Sequence, residues 1–193
     1  MVRTFLFEKE LTYDGTQLSS LWGLKRFDIR GDSIIAFRGG CRVKNHELVD
    51  IEDFKAGDSI FSPDMLHFII EHFDNDLEKA VLRQRLLVAL TKDLLGERGL
   101  KHPVYRDGDD LFAAINGSLC KLSVSIATVT PVSTMIHFGI NVNAEGAPVP
   151  AAGLVDLGLP GNEVFNLARE VLDGYAKEIE GVGIARCKVR GVL

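Results

Sequence analysis

Leu119-Cys120-Lys121-Leu122-Ser123-Val124-Ser125-Ile126-Ala127 and Met135-Ile136-His137-Phe138-Gly139-Ile140-Asn141-Val142-Asn143 are the two stretches that decide the fold. Both alternate with a period of two, the signature of a half-buried strand. In the first, Cys120, Leu122, Val124 and Ile126 share one face, and Lys121, Ser123 and Ser125 share the other. In the second, Ile136, Phe138, Ile140 and Val142 point one way, and His137, Gly139, Asn141 and Asn143 the other. Two successive strands, each with one apolar and one polar face, predict a sheet whose polar side lines a ligand cleft.

Working outward, Asn116-Gly117 is a two-residue hairpin signal joining Leu111–Ile115 to Leu119–Ala127. Ser33 to Phe37 reads as a short strand running into a turn at Arg38-Gly39-Gly40. Ser62-Pro63-Asp64 reads as a helix start, with serine as N-cap and proline in the first helical position, which would place His67 and His72 on that helix. A longer helix is predicted from Leu77 to Glu97, capped by Asp76 and stopped near Gly96 or Gly99. Its buried stripe would be Leu82, Leu86, Leu87, Leu90 and Leu94. The spacing of Val164, Leu167, Ala168, Val171, Leu172, Tyr175, Ala176 and Ile179 gives a second amphipathic helix. Gly181 and Gly183 are expected to end it, before an edge strand over Ile184–Val189. Helices and hairpins come in blocks, not in strict βαβ alternation. That favours one α+β domain over residues 1–193, with a mostly antiparallel sheet and helices packed on one face.

The 193 residues suffice for one complete core, and the 46% hydrophobic and 25% charged content is that of a soluble globular chain. A net charge of -5 argues against nucleic acid as a partner. Cys41, Cys120 and Cys187 are scattered and odd in number, with no zinc-type spacing, so no metal ligands are assigned. A reduced, cytoplasmic setting is expected, with no membrane segment.

Lys121 is the leading chemical candidate. On a cleft-facing strand, flanked by serines, its ammonium can hold a phosphate or carboxylate; the competing reading is a solvated lysine on the wet side of a sheet. Asp109 and Asp110 could bind a metal, orient a ribose or pair with Lys121, or could simply belong to a turn. Arg38-Gly39-Gly40-Cys41-Arg42-Val43-Lys44 brings two glycines and three cations together, as an anion-binding loop does, although a plain glycine turn is the more common explanation of such a stretch. His137 could act as an acid/base group or donate to a ligand, or be structural. Cys120 falls on the apolar face and is not read as a nucleophile.

In order and spacing these elements resemble the superfamily of biotin-protein ligases, lipoate ligases and octanoyltransferases, which shares its fold with the catalytic domain of class II aminoacyl-tRNA synthetases. Asp109-Asp110 stands where lipoate ligases carry Asn-Asp, with ten residues between Asp110 and Lys121, the position of their catalytic lysine. Ser123-Val124-Ser125 resembles the Ser-Gly-Ser that follows it. Arg38-Gly39-Gly40 and His137-Phe138-Gly139-Ile140-Asn141-Val142 resemble the Arg-Gly-Gly loop and the His-Gly…Asn-Val stretch of octanoyltransferases, and Gly139-Ile140-Asn141-Val142 also resembles a strand of biotin-protein ligases. The chain is most similar to an uncharacterised microbial family within that superfamily. The departures are specific. Ile35 and Ala36 replace an arginine pair, His46 falls one residue late, and Pro150-Ala151-Ala152-Gly153 lacks the thiol of a Pro-Cys-Gly turn, which argues against a thioester at that position.

The resemblance implies a ligase or acyltransferase that activates a small carboxylic acid as its acyl-adenylate, with ATP and Mg2+. Lys121 would be catalytic, contacting carboxylate and phosphate. Arg38, Gly39, Gly40, Arg42, Lys44, Asp109, Asp110, Ser123, Ser125, His137, Gly139 and Asn141 would bind substrate or nucleotide. A protein acceptor and a homodimer are compatible with it. The alternative is a non-catalytic module that keeps the fold and holds a small ligand or a partner chain.

Overall fold

The computed structural model describes residues 1–57 and 59–192. A five-stranded sheet forms its frame, in the order β1 (Arg3–Phe7), β2 (Ser33–Val43), β3 (Ile60–His72), β8 (Thr134–Asn143), β7 (Ser123–Val129). Only β1 and β2 run parallel; the other neighbours are antiparallel. A smaller antiparallel sheet holds β4 (Val104–Asp107), β5 (Asp110–Ile115) and β6 (Ser118–Lys121). Two long helices, α3 (Leu77–Gly96) and α4 (Val164–Cys187), cover one face of the large sheet. The short α1 (Trp22–Phe27) covers part of the other, with Trp22 against Phe37. The expected α+β architecture, with a mainly antiparallel sheet, is what forms.

Alternation along each strand divides the interior in two. Ile34, Ala36, Leu66, Phe68, Ile70, Ile136, Phe138 and Ile140 face the long helices and make the main core. Phe37, Cys41, Val43, Met65, Ile69 and Met135 face the other way and pack with Tyr13 as a smaller cluster. On α4, Val164, Leu167, Ala168, Val171, Leu172 and Tyr175 are buried at the expected spacing. The α3 stripe differs: Ala80, Gln84, Leu87, Val88, Thr91 and Leu95 are buried, whereas Leu82 is exposed. Asp76 caps α3 as expected, accepting from the Lys79 amide at 3.0 Å.

Several local expectations are corrected. Ser62-Pro63-Asp64 starts no helix; it lies inside the thirteen-residue strand β3. Proline is tolerated there because the pairing with β2 slips between Gly39 and Cys41, leaving Pro63 at a bulge. Arg38-Gly39-Gly40 is not a turn, because β2 continues through it to Val43. A β-carbon on Gly39 would lie 2.3 Å from the Leu11 carbonyl oxygen, so this glycine admits a crossing segment whose Leu11 and Tyr13 amides bond the carbonyls of Arg38 and Gly40. The helix α4 runs through Gly181 and Gly183 to Cys187, so the expected edge strand over Ile184–Val189 is absent.

The expected strand over Leu119–Ala127 is two strands in two sheets. Asn116 (φ 50°) and Gly117 (φ 80°) make the hairpin turn, but its second arm ends at Lys121. Leu122 bridges the sheets: its amide bonds the Leu111 carbonyl at 2.8 Å and its carbonyl accepts from the Asn141 amide at 2.9 Å. The break reverses the parity of the faces. Val124 and Ile126 stand opposite Gly139 and His137, while Ser125 stands opposite Phe138, on the side of the main core.

Candidate functional site

On the sheet face away from the long helices lies a cavity of about 580 Å³, within the range of small-molecule pockets. Its floor comes from β3, β8 and β7 and from Tyr13; further lining comes from the start of β5, the end of β6 and the connection between β2 and β3, which carries α2 (Ile51–Ala56). Asp50 caps α2 through the amides of Glu52 and Asp53. Glu47, Asp50 and Asp53 from this connection line the cavity together with Asp109 and Asp110.

Lys121 and His137 line the same cavity. Lys121 ends β6, and its Nζ lies 2.9 Å from Asp110 Oδ2 at the start of β5, both side chains about a third exposed. Its backbone is held on both sides: its amide bonds the Pro150 carbonyl, and its carbonyl accepts from the Ala152 amide and, at 3.4 Å, from Asn141 Nδ2. Gly153 is required at this crossing, since a β-carbon there would meet the Val142 carbonyl oxygen at 2.4 Å. Burial raises the pKa of Asp110 above the usual carboxylate value, and the nearby charges of Asp109 and Asp53 add to it, against the opposing pull of Lys121. Asp110 is therefore a carboxylate short of solvation even with its lysine bound. Asp109 accepts from Gln84 Nε2 at 2.8 Å and pairs with Arg85 at 3.3 Å.

His137 is 3% exposed. Its ring stacks on Tyr13, centroids 3.6 Å apart and planes 13° from parallel, and its Nε2 lies 3.0 Å from Nδ1 of the fully buried His67 on β3. His67 Nε2 lies 3.2 Å from the Gly39 carbonyl oxygen. Burial pushes His67 down to about 4, and burial followed by its neighbour His67 holds His137 well below the usual histidine value. Both rings are neutral at neutral pH. Gly139 leaves the room they occupy: a β-carbon there would sit 2.9 Å from Met65 Cε and 3.2 Å from His137 Nε2.

The remaining sequence candidates are placed differently. Ser123 and Ser125 are among the lining residues, but their hydroxyls are engaged, Ser123 Oγ accepting from the Leu111 amide at 2.8 Å and Ser125 Oγ from Gln84 Nε2 at 2.7 Å. Arg38 does not line the cavity. It forks onto Asp64 at 2.9 and 2.6 Å and reaches the Gly161 carbonyl at 3.2 Å. Gly39 and Gly40 serve the chain crossing, and Arg42 and Lys44 are exposed outside the cavity. The cationic loop expected over Arg38–Lys44 is therefore strand β2 as far as Val43, with Lys44 just beyond its end. Tyr13, His67 and the carboxylates near α2 are additions. His67 was within reach of sequence reading, because Met65, His67 and Ile69 alternate with Leu66, Phe68 and Ile70. Tyr13 carried no local signal.

Among the described residues no group of three His, Cys, Asp or Glu side chains is placed to hold a metal ion. No described helix is long and apolar enough to cross a membrane.

Residues 2–190 match the family model DUF366, a domain of unknown function, and the chain belongs to that family. An uncharacterised protein of Methanocaldococcus jannaschii is 40% identical over 186 residues, covering 93% of this chain and 80% of the relative. A solved structure of a protein of unknown function from Pyrococcus horikoshi is also 40% identical and superposes with a TM-score of 0.89 over the whole of both chains. More distantly, the biotin protein ligase of Aquifex aeolicus, solved with biotin and ATP, matches with a TM-score of 0.57 at 16% identity over 91% of this chain and 70% of that one. A bipartite lipoate protein ligase from Thermoplasma acidophilum matches at 0.54 and 15% identity, over 91% and 83%. At such identities the likeness is one of fold.

Proposed function

We propose that this member of the DUF366 family binds a small carboxylic acid in the cavity beside β6 and β8 and activates it as an acyl-adenylate. The observation that carries the reading is the pair at the cavity wall. Lys121 is the single lysine or arginine among the described lining residues, and its partner Asp110 is poorly solvated. A ligand carboxylate can replace Asp110 at the ammonium, and Asp110, with its raised proton affinity, can take up a proton once the lysine has left it. The bound carboxylate oxygen would then attack the α-phosphorus of ATP. A carboxyl–phosphorus bond forms, the bond from that phosphorus to the bridging oxygen breaks, and pyrophosphate departs. Lys121 offsets the charge that gathers on the phosphoryl oxygens. His137 and Asn141 shape the floor. An acceptor, a protein side chain among the options, would take the acyl group in a second step.

The distant ligases of like fold support this reading, one of them solved with biotin and ATP. Five carboxylates, Glu47, Asp50, Asp53, Asp109 and Asp110, line the cavity against Lys121, so a triphosphate needs added counter-charge, which Mg2+ supplies. Exchange of labelled pyrophosphate into ATP across a panel of small carboxylic acids tests the reaction. One acid should support exchange, and Lys121→Ala should abolish it; undiminished exchange in that variant removes the lysine from the chemistry.

A second reading is a binding module that holds the ligand without chemistry. The placement of the cations of the Arg38–Lys44 segment away from the cavity favours it: Arg38 is bound to Asp64, and Arg42 and Lys44 stand outside. Stabilisation by an acid together with silence toward every nucleotide selects this reading.

A further inference from the structure

The two buried histidines fix each other's protons. The Gly39 carbonyl can only accept, so His67 Nε2, 3.2 Å away, carries the hydrogen. His67 Nδ1 is then a lone pair. The contact of 3.0 Å from it to His137 Nε2 is a hydrogen bond only if His137 Nε2 donates. A neutral imidazole has one hydrogen, so His137 Nδ1 is left as a bare acceptor. It has no partner among the described residues, and it belongs to a ring 97% buried whose residue lines the cavity. The ring is held in this orientation by the Tyr13 stack at 3.6 Å and by the 3.0 Å bond from its Nε2 to His67, which any turn about its side-chain bonds would break.

We infer that His137 Nδ1 is a preset acceptor that selects ligands carrying an N–H or O–H donor on the part that reaches the cavity floor. The sequence left open whether this histidine is an acid/base group or a donor; the bond to His67 assigns it the opposite polarity. A ligand carbonyl or ether placed there meets a lone pair, and an alkyl group leaves a buried acceptor unpaired, which is costly. Within the preceding reading, on which this inference rests for the ligand's other end, the acid bound at Lys121 carries a hydroxyl, amide or related donor away from its carboxylate.

The test uses the full chain with 15N-labelled histidine. Long-range proton–nitrogen correlations at pH 7.5 should show His67 and His137 both neutral with hydrogen on Nε2. A His137 ring protonated on Nδ1 overturns the inference outright. Matched acids of about six to ten carbons then probe the floor, an ω-hydroxy acid against the oxo acid with a ketone near the same end. The hydroxy acid should bind roughly three- to tenfold tighter, the span of one net hydrogen bond, and should move the Nδ1 resonance. In His137→Phe that ratio should fall to about one, a comparison that cancels any general loss of stability; if this variant does not fold, the Nδ1 resonance of the unaltered chain decides. Equal affinities with an unmoved resonance overturn the inference and leave acid binding intact. If no acid binds, 2-pyrrolidinone and its N-methyl derivative replace them at high millimolar concentration. Movement of Nδ1 by the first alone sustains the inference while the acid reading fails; movement by neither or by both ends it.

Discussion

At the scale of single residues, the histidine pair couples the floor of the cavity to stability. Both rings are buried and resist protonation, His67 down to about 4 against 6.5 for a free histidine. As pH falls below 6.5, the unfolded chain takes up protons that the folded chain refuses. Stability is therefore complete above that value and declines as pH falls toward 4, by up to about 1.4 kcal/mol per pH unit for each ring. Urea midpoints measured between pH 7 and 4.5 should show this decline, and the double variant His67→Gln, His137→Phe should flatten it; an unchanged slope would show that the rings titrate normally. Lys121 and His137 could be singled out from sequence because each is a polar residue inside an alternating apolar strand. Tyr13 could not, since its place against His137 depends on a chain crossing at Gly39 that no local pattern records. The orientation of Ser123 and Ser125 was lost for a similar reason: one residue, Leu122, leaves one sheet for the other and reverses the parity counted from Lys121.

At the scale of elements, β2 and β3 show how tertiary context overrides local signals. A serine followed by proline and aspartate is a strong helix start, yet Pro63 falls where the ladder slips and both faces of the segment that follows are buried. Length and burial then favour a strand. Arg38 has a similar history. In sequence it belongs to a cationic glycine loop; in the fold it is a clamp that joins β2 to Asp64 on β3. Arg38→Met is accordingly expected to cost roughly 1 kcal/mol, in keeping with an ion pair whose side chains are less than a third exposed, and to leave ligand affinity unchanged. Denaturant midpoints read the first effect and calorimetry with a bound acid the second; a tenfold loss of affinity at unchanged stability would return Arg38 to the site. The helices α3 and α4 were legible because a 3.6-residue period over many turns averages out local exceptions such as exposed Leu82.

At the scale of the whole molecule, one sheet face is spent on the core beneath α3 and α4, and the other, partly open, holds the cavity. Its acidic lining has a consequence for nucleotide binding. ATP is expected to raise the melting temperature only with Mg2+ present, and not in EDTA; equal stabilisation in both would mean the triphosphate lies outside this cavity. The most direct measurement of the central claim is a crystal structure of the protein soaked with the acid that stabilises it best. The carboxylate should lie about 3 Å from Lys121 Nζ, with the bond to Asp110 lengthened or broken. An acid bound elsewhere, with Lys121 still held on Asp110, would contradict the account.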